Sequence, residues 1–493
     1  MTHVRFFARW RLVLGLLAAI SLLQVVGYTQ TAQAPAAPAA QAPRPAQAAA
    51  PAKLHPHRIA VFGSSVANGT GDEFALDGYT GLLRTMMAPR GWEVLNQSRG
   101  GDDTTSMAPR FAPEGTPDPR VRYLLPVRPS YVVIALSFGN EGLFEAKTTA
   151  EKDAVYEGYL KGIRGFVDRA RQNDIVPVVA LAYPRDVQTP ADYEYVRRAN
   201  VVQQSWDVPT VNFLGAIDDA MGHWALGFND KHPQASGHRE MFYSFVPTLF
   251  AALEKGKPTP TRSATAKGFA RIAGGAAPLT FAPDDTMHPF AVSVMVRAQG
   301  NGTVLAVAGT SLTAKIETRK NGNTEFQGKT LLADKPFTAA IAVQNGKWTY
   351  KSAAGTVVDS GISADNAWHH IVLSQYTARG ETLFYVDGKL GGKVAERLQP
   401  ARFVVGGPGG AGPAGPTQAD YKDLMIFRAA LNADEVAVLT SGKLLQGSLE
   451  IYAPLADAQF APGSAVENRA QSMTTLKVGT DRITHTDEPG TTN

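Results

Sequence analysis

The sequence predicts two folds in series: an α/β domain on a parallel sheet, then an all-β sandwich. Three observations carry this expectation. Between residues 58 and 253, short Val- and Ile-rich runs alternate with stretches of helical periodicity. A linker-like stretch, Lys255-Gly-Lys-Pro-Thr-Pro-Thr-Arg-Ser263, follows. Beyond it helical periodicity largely stops, and strand-like runs are separated by Gly, Asn and Asp turns.

The candidate strands of the first part are 59–62, 93–96, 131–137, 175–181 and 210–214. They are short and apolar, as strands covered on both faces should be. The clearest helix spans 151–173, where Tyr156, Tyr159, Leu160, Ile163, Phe166 and Val167 recur at helical spacing. Strands alternating with helices imply a doubly wound α/β/α sheet of three layers, with its site beyond the strand C-termini. In the second part the runs 290–297, 302–308, 339–343, 348–352, 369–375, 382–386 and 403–406 argue for a jelly-roll sandwich.

At 493 residues the chain has room for two or three domains of roughly 150 residues each. The net charge of +4 is small for this length, and no basic run is concentrated enough for nucleic acid, so none is expected as a partner. The absence of cysteine excludes disulfides, thiolate metal sites and a Cys nucleophile. At the N-terminus Arg5, Arg9 and Arg11 precede the apolar run 12–26 and the small residues Thr31-Ala-Gln-Ala34, the order of a secretory signal. That run is shorter than the ~20 apolar residues of a membrane span. The expectation is therefore a periplasmic or secreted bacterial protein with no stable span after cleavage. The domains expected are a signal peptide at 1–34, an Ala/Pro-rich linker at 35–54, the α/β domain at 55–256, a second linker at 257–272, the sandwich at 273–470 and a disordered tail at 471–493.

Four polar blocks stand out in the first part. Arg58-Ile-Ala-Val-Phe-Gly-Ser-Ser-Val-Ala-Asn-Gly69 delivers Ser65 onto the turn after a strand. Asn96-Gln-Ser-Arg-Gly-Gly101, Ser137-Phe-Gly-Asn140 and Asn229-Asp-Lys-His-Pro-Gln-Ala-Ser-Gly-His238 follow. Singly, each is the signature of a turn or a surface loop. Together, in this order and with three of them at strand ends, they resemble the blocks of the SGNH (GDSL-like) hydrolases. That resemblance implies a three-layer, flavodoxin-like fold and a serine esterase needing no cofactor. It makes Ser65 the nucleophile and His232 the general base. Ser65 N–H, Gly101 N–H and the Asn140 amide would form the oxyanion hole.

Four departures from the family pattern bear on the site. Ser64 stands where the family's first block has Asp, Phe138 where Gly is preferred, and Glu141 where Asp is commoner. Asn229 occupies the usual place of the acid, three residues before His232, and Asp230 lies two before it. Asp230 is the expected acid of the triad, and a Ser–His dyad supported by Asn229 or a backbone carbonyl is the alternative.

In the second part Ala367-Trp-His-His-Ile-Val-Leu373, Leu383-Phe-Tyr-Val-Asp-Gly-Lys-Leu390 and Asp420-Tyr-Lys-Asp-Leu-Met-Ile-Phe-Arg-Ala-Ala-Leu431, with Asp434-Glu-Val436, resemble a laminin-G-like (concanavalin-type) sandwich. No metal site is expected: Asp102-Asp103 reads as a helix cap, and His369 and His370 alternate to opposite faces of a strand. Trp348 and Trp368 read as core. A sandwich appended to an exported esterase suggests a polysaccharide ester as substrate. A short-chain lipid or aryl ester, acyl transfer by the same residues, and a non-catalytic carbohydrate-binding surface protein are the other readings.

Overall fold

The computed structural model describes residues 54–185, 188–226, 228–229, 232–262, 268–273, 278–321, 324–407, 418–456, 460–479 and 483–487. The expected signal peptide and nearly all of the Ala/Pro linker lie outside them.

The first part carries five parallel strands, β1 (His55–Gly63), β2 (Glu93–Asn96), β3 (Pro129–Ala135), β4 (Val176–Ala180) and β5 (Thr210–Val211), in the order β2-β1-β3-β4-β5. This is the flavodoxin-like, doubly wound order. Side-chain alternation along the strands explains the three layers. Ala60, Phe62, Val132, Ile134 and Val179 face helix α3 (Thr149–Gln172), while Ile59, Val61, Val133, Ala135 and Val178 face α1 (Gly78–Met87) and the C-terminal helices. The helix expected at 151–173 is α3, and its start is set by a capping box in which Thr148 and Glu151 bond reciprocally. Thr189 and Asp192 cap α4 (Pro190–Gln204) in the same way, with Pro190 in the first turn. The strand expected at 210–214 is shorter, because residues 214–217 close into the one-turn helix α5.

The second part is a sandwich of two antiparallel sheets. Their facing residues, among them Val292, Val294, Ile341, Trp348, Phe384 and Phe403, form one core. Every residue of strand His369–Tyr376 is buried, because its sheet is covered on the outside too, by Leu431, Val436, Leu439 and Leu449 around the short helix Ala433–Thr440. Two of the runs expected as separate strands belong to one long hairpin, Gly302–Asn321 with Thr324–Gln344. Of the stretch 257–272, residues from Gly268 onward already form a strand of the first sheet. The expected disordered tail is corrected: Leu476–Val478 pairs with Leu279–Phe281, and Ile483–Asp487 pairs with Gly268–Ala273. Backbone pairing holds these strands despite a sequence too polar and short to announce them.

The α/β part and the sandwich meet along a buried polar seam. Glu435 Oε1 accepts hydrogen bonds from Gln204 Nε2 (2.9 Å) and Asn212 Nδ2 (2.7 Å). Ser448 N–H donates to the Thr210 carbonyl, and Ser448 Oγ accepts from Asn212 N–H. Beside them α5 approaches so closely that a Cβ on Gly215 would lie 2.1 Å from the Ala430 carbonyl oxygen. Among the described residues no helix is long and apolar enough to cross a membrane.

Candidate active site

Each of the first three polar blocks lies just past the C-terminal end of a parallel strand, as the doubly wound topology requires. β1 ends at Gly63, and Ser65 falls in the tight turn that follows, where Thr70 N–H bonds back to the Ser65 carbonyl (3.0 Å). His232 comes from the far end of the domain, on the two-residue ribbon pairing Phe228–Asn229 with His232–Pro233. Its Nε2 lies 2.9 Å from Ser65 Oγ across 167 residues of sequence. Both residues line a cavity of about 160 Å³ together with Gly101, Asn140, Tyr183 and Trp224. The described serine, glycine, asparagine and histidine of the four blocks are thus brought to one place.

Gly101 has φ +84°, a left-handed backbone that glycine adopts without strain. The loop carrying it is held from beneath. Asp102, expected to cap a helix, instead turns inward: it is 1% exposed and paired with Arg99 (2.5 Å) and with buried Arg110. Asp103 alone caps the following turn of helix, α2 (Thr104–Met107), through Ser106. An uncompensated carboxylate at the Asp102 position would be costly, and the two guanidiniums supply the counter-charge.

Asn140 ends a 3₁₀ turn after β3. Its Nδ2 donates to the Asp102 carbonyl oxygen at 3.0 Å, which fixes the amide plane and leaves a second N–H on the same nitrogen. The next residue reinforces this join. Glu141 accepts hydrogen bonds from Thr104 N–H and Oγ, both at 2.8 Å. Burial raises the Glu141 carboxyl above its ordinary range, with the two Thr104 bonds acting against that rise. Two bridges therefore lock the Gly101 loop to the Asn140 turn.

Asp230 lies outside the described residues, and of Asn229 only the backbone, paired with His232, is described. Nearby His238 is fully buried, which lowers its imidazole to about 4, and its Nε2 bonds the Thr70 carbonyl oxygen at 3.1 Å. It is a neutral support beneath the first turn. Among the described residues no cluster of His, Asp or Glu is arranged to hold a metal ion. In the sandwich Trp348 is fully buried, while Trp368 is stacked beneath Arg297 (4.8 Å) and Lys422 (4.1 Å).

Sequence reasoning missed the cavity wall that follows β4. Ser137 Oγ donates to the Tyr183 carbonyl oxygen and accepts from Tyr183 N–H, latching that wall to the end of β3. Two residues on, Arg185 donates to the Gly139 carbonyl oxygen at 2.5 Å. Their place beyond a strand end is the signal that could have found them.

Residues 61–240 match the GDSL-like Lipase/Acylhydrolase family. No curated protein matches the sequence. Among solved structures, a candidate carbohydrate-binding protein from Bacteroides ovatus is 11% identical, with a TM-score of 0.32, covering 47% of this chain and 62% of its own. The chain therefore spans less than two thirds of that protein. An acetylxylan esterase from Geobacillus stearothermophilus is 16% identical over 39% of this chain and 93% of its own, with a TM-score of 0.31. A heptameric SAP-like pentraxin from Limulus polyphemus is 14% identical over 45% and 96%, with a TM-score of 0.29. Over residues 61–240, the stretch that holds Ser65, Gly101, Asn140 and His232, the chain is similar to the GDSL-like lipase/acylhydrolase family.

Proposed function

We propose that the protein is an exported serine esterase. The observation that carries this reading is the 2.9 Å contact between His232 Nε2 and Ser65 Oγ at a cavity also lined by Gly101 and Asn140. Nucleophile and base stand at hydrogen-bonding distance, with donors for a developing oxyanion beside them. Ser65 Oγ attacks the ester carbonyl as its proton passes to His232 Nε2. The tetrahedral oxyanion is held by Ser65 N–H, Gly101 N–H and the second N–H of Asn140. Its collapse breaks the C–O bond, and His232 returns the proton to the leaving alcohol. Water, deprotonated by His232, then attacks the acyl-serine and regenerates Ser65.

The size of the cavity bears on the substrate. At about 160 Å³ it is smaller than the roughly 300–1,000 Å³ of sites that enclose a drug-sized ligand. It suits a short acyl group, with the alcohol left outside where a polysaccharide can supply it. We read the sandwich as laminin-G-like, because the three sequence phrases that suggested it fall on strands His369–Tyr376, Glu381–Val386 and Gln418–Phe427 of one sheet. Export rests on the basic, apolar, small-residue order of the N-terminus.

The test is p-nitrophenyl acetate hydrolysis by the parent and by Ser65→Ala, with fluorophosphonate labelling of both. The parent is expected to turn over and to be labelled at Ser65, and the variant to lose on the order of a million-fold in kcat. A variant that keeps a tenth of the activity sinks the assignment.

A further inference from the structure

The cavity beside Ser65 has an uneven wall. Trp224 is 3% exposed and Tyr183 is buried, whereas Arg185 is half-exposed and so marks the open side. Among the described lining residues Arg185 bears the only permanent charge, and no carboxylate lines the cavity with it. No ion pair joins it to a described residue. The guanidinium is held in place by two contacts: its donation to the Gly139 carbonyl oxygen, and its position over the Phe144 ring at 5.4 Å. These use one N–H and one face, leaving further donors of the planar fork without a partner among the described residues. A second donor in the same wall also lacks a partner among the described residues, since Trp224 Nε1 is buried with no hydrogen bond to any of them. A buried N–H without a partner is costly unless a ligand acceptor meets it.

Building on the esterase reading, we propose that Arg185 is a specificity-determining residue that receives a carboxylate carried by the alcohol half of the ester, while Trp224 faces the acyl half. The short acyl group occupies the buried end of the cavity. The alcohol leaves past the open side, where a pre-oriented guanidinium offers a two-pronged, charge-assisted contact. The substrate class is then an ester of an acidic alcohol, such as a carboxylated sugar unit.

The test compares para-acetoxybenzoate with its uncharged methyl ester on the full-length protein, Arg185→Gln and Arg185→Lys. The readout is the ratio of kcat/KM for the two esters, which cancels their intrinsic reactivity between proteins. A hydrogen-bonded ion contact predicts a ratio about tenfold higher or more in the parent than in Arg185→Gln. The difference should reside in KM, Arg185→Lys should keep part of it, and added salt should erode it. An unchanged ratio, or both esters slowed in the same proportion, overturns the proposal and leaves Arg185 as a brace for Gly139. If the parent cleaves neither ester, the esterase reading has failed. Calorimetric binding of para-acetoxybenzoate then decides separately, with weaker binding by Arg185→Gln supporting the anion site and equal binding overturning it.

Discussion

In the proposed reaction Asn140 divides its amide between structure and chemistry: one N–H goes to the Asp102 carbonyl oxygen, and the other is assigned to the oxyanion. Asn140→Ala should therefore lower kcat by roughly 10²–10³ with little change in KM, the usual loss for one oxyanion donor. Steady-state kinetics on p-nitrophenyl acetate decide this, and a change confined to KM assigns Asn140 to ground-state binding instead. The acid is tested by Asp230→Ala and Asn229→Ala, assayed side by side. A loss of about 10⁴ confined to Asp230→Ala is expected, since a neutral partner cannot stabilise the imidazolium. Near-parental activity of Asp230→Ala makes the site a dyad. At this scale the sequence marked four residues that the structure brings to one cavity, Ser65, Gly101, Asn140 and His232, each of a type that suits the proposed chemistry. It was silent on Arg185 and Trp224, whose proposed roles follow only from which walls happen to face each other.

Elements place those residues, and the loop after β2 shows how. Asp102 and Asp103 are neighbours of one type with opposite duties, one turned inward onto Arg110 and the other capping four residues of helix. Asp102→Ala leaves a buried guanidinium without its counter-charge and should cost about 3–5 kcal/mol. Asp103→Ala removes a cap and should cost about 1 kcal/mol. Urea denaturation of both variants checks the order, and equal losses would refute it. No periodicity in the sequence separates the two residues, because the decisive partner of Asp102 lies eight positions further on, inside a 3₁₀ turn (Ala108–Phe111). The long elements were easier to read. Helix α3 carries its own start signal and an apolar stripe, whereas Leu476–Val478 and Ile483–Asp487 owe their existence to the edges they pair with.

Across the whole molecule, a linker-like stretch separates the two parts in sequence, yet Glu435 of the sandwich is buried against Gln204 and Asn212 of the α/β part. Burial raises its carboxyl from 4.5 to about 7, against the opposing pull of the hydrogen bonds it accepts. Because the folded state holds this proton more tightly than the unfolded one, the stability linked to Glu435 is complete below about pH 4.5. It falls as pH rises and is lost above about 7. The swing is about 3 kcal/mol. Asp218, raised to about 6 by burial, acts in the same direction, while His238 and His370, lowered to about 4, act in the opposite one. The measurement is therefore the difference in unfolding free energy between the parent and Glu435→Gln from pH 4.5 to 8. The parent should lose more stability than the variant across that range, and parallel curves would show that Glu435 ionises as freely folded as unfolded.

The same seam sets a clock. Gln204 and Glu435 are 231 residues apart, and Asn212 and Ser448 are 236 apart. At roughly 5–20 residues per second, a ribosome needs about 10–50 s to make the second partner after the first. For most of that interval the turn bearing Ser65 and the ribbon bearing His232 have been made, but Gln204 Nε2 and Asn212 Nδ2 have only water to bond. The α/β part is therefore born without the surface that finishes it, and these contacts await Glu435 and Ser448. A chain released early, before residue 430, would carry every block of the site but not Ala430, Glu435 or Ser448 of the seam.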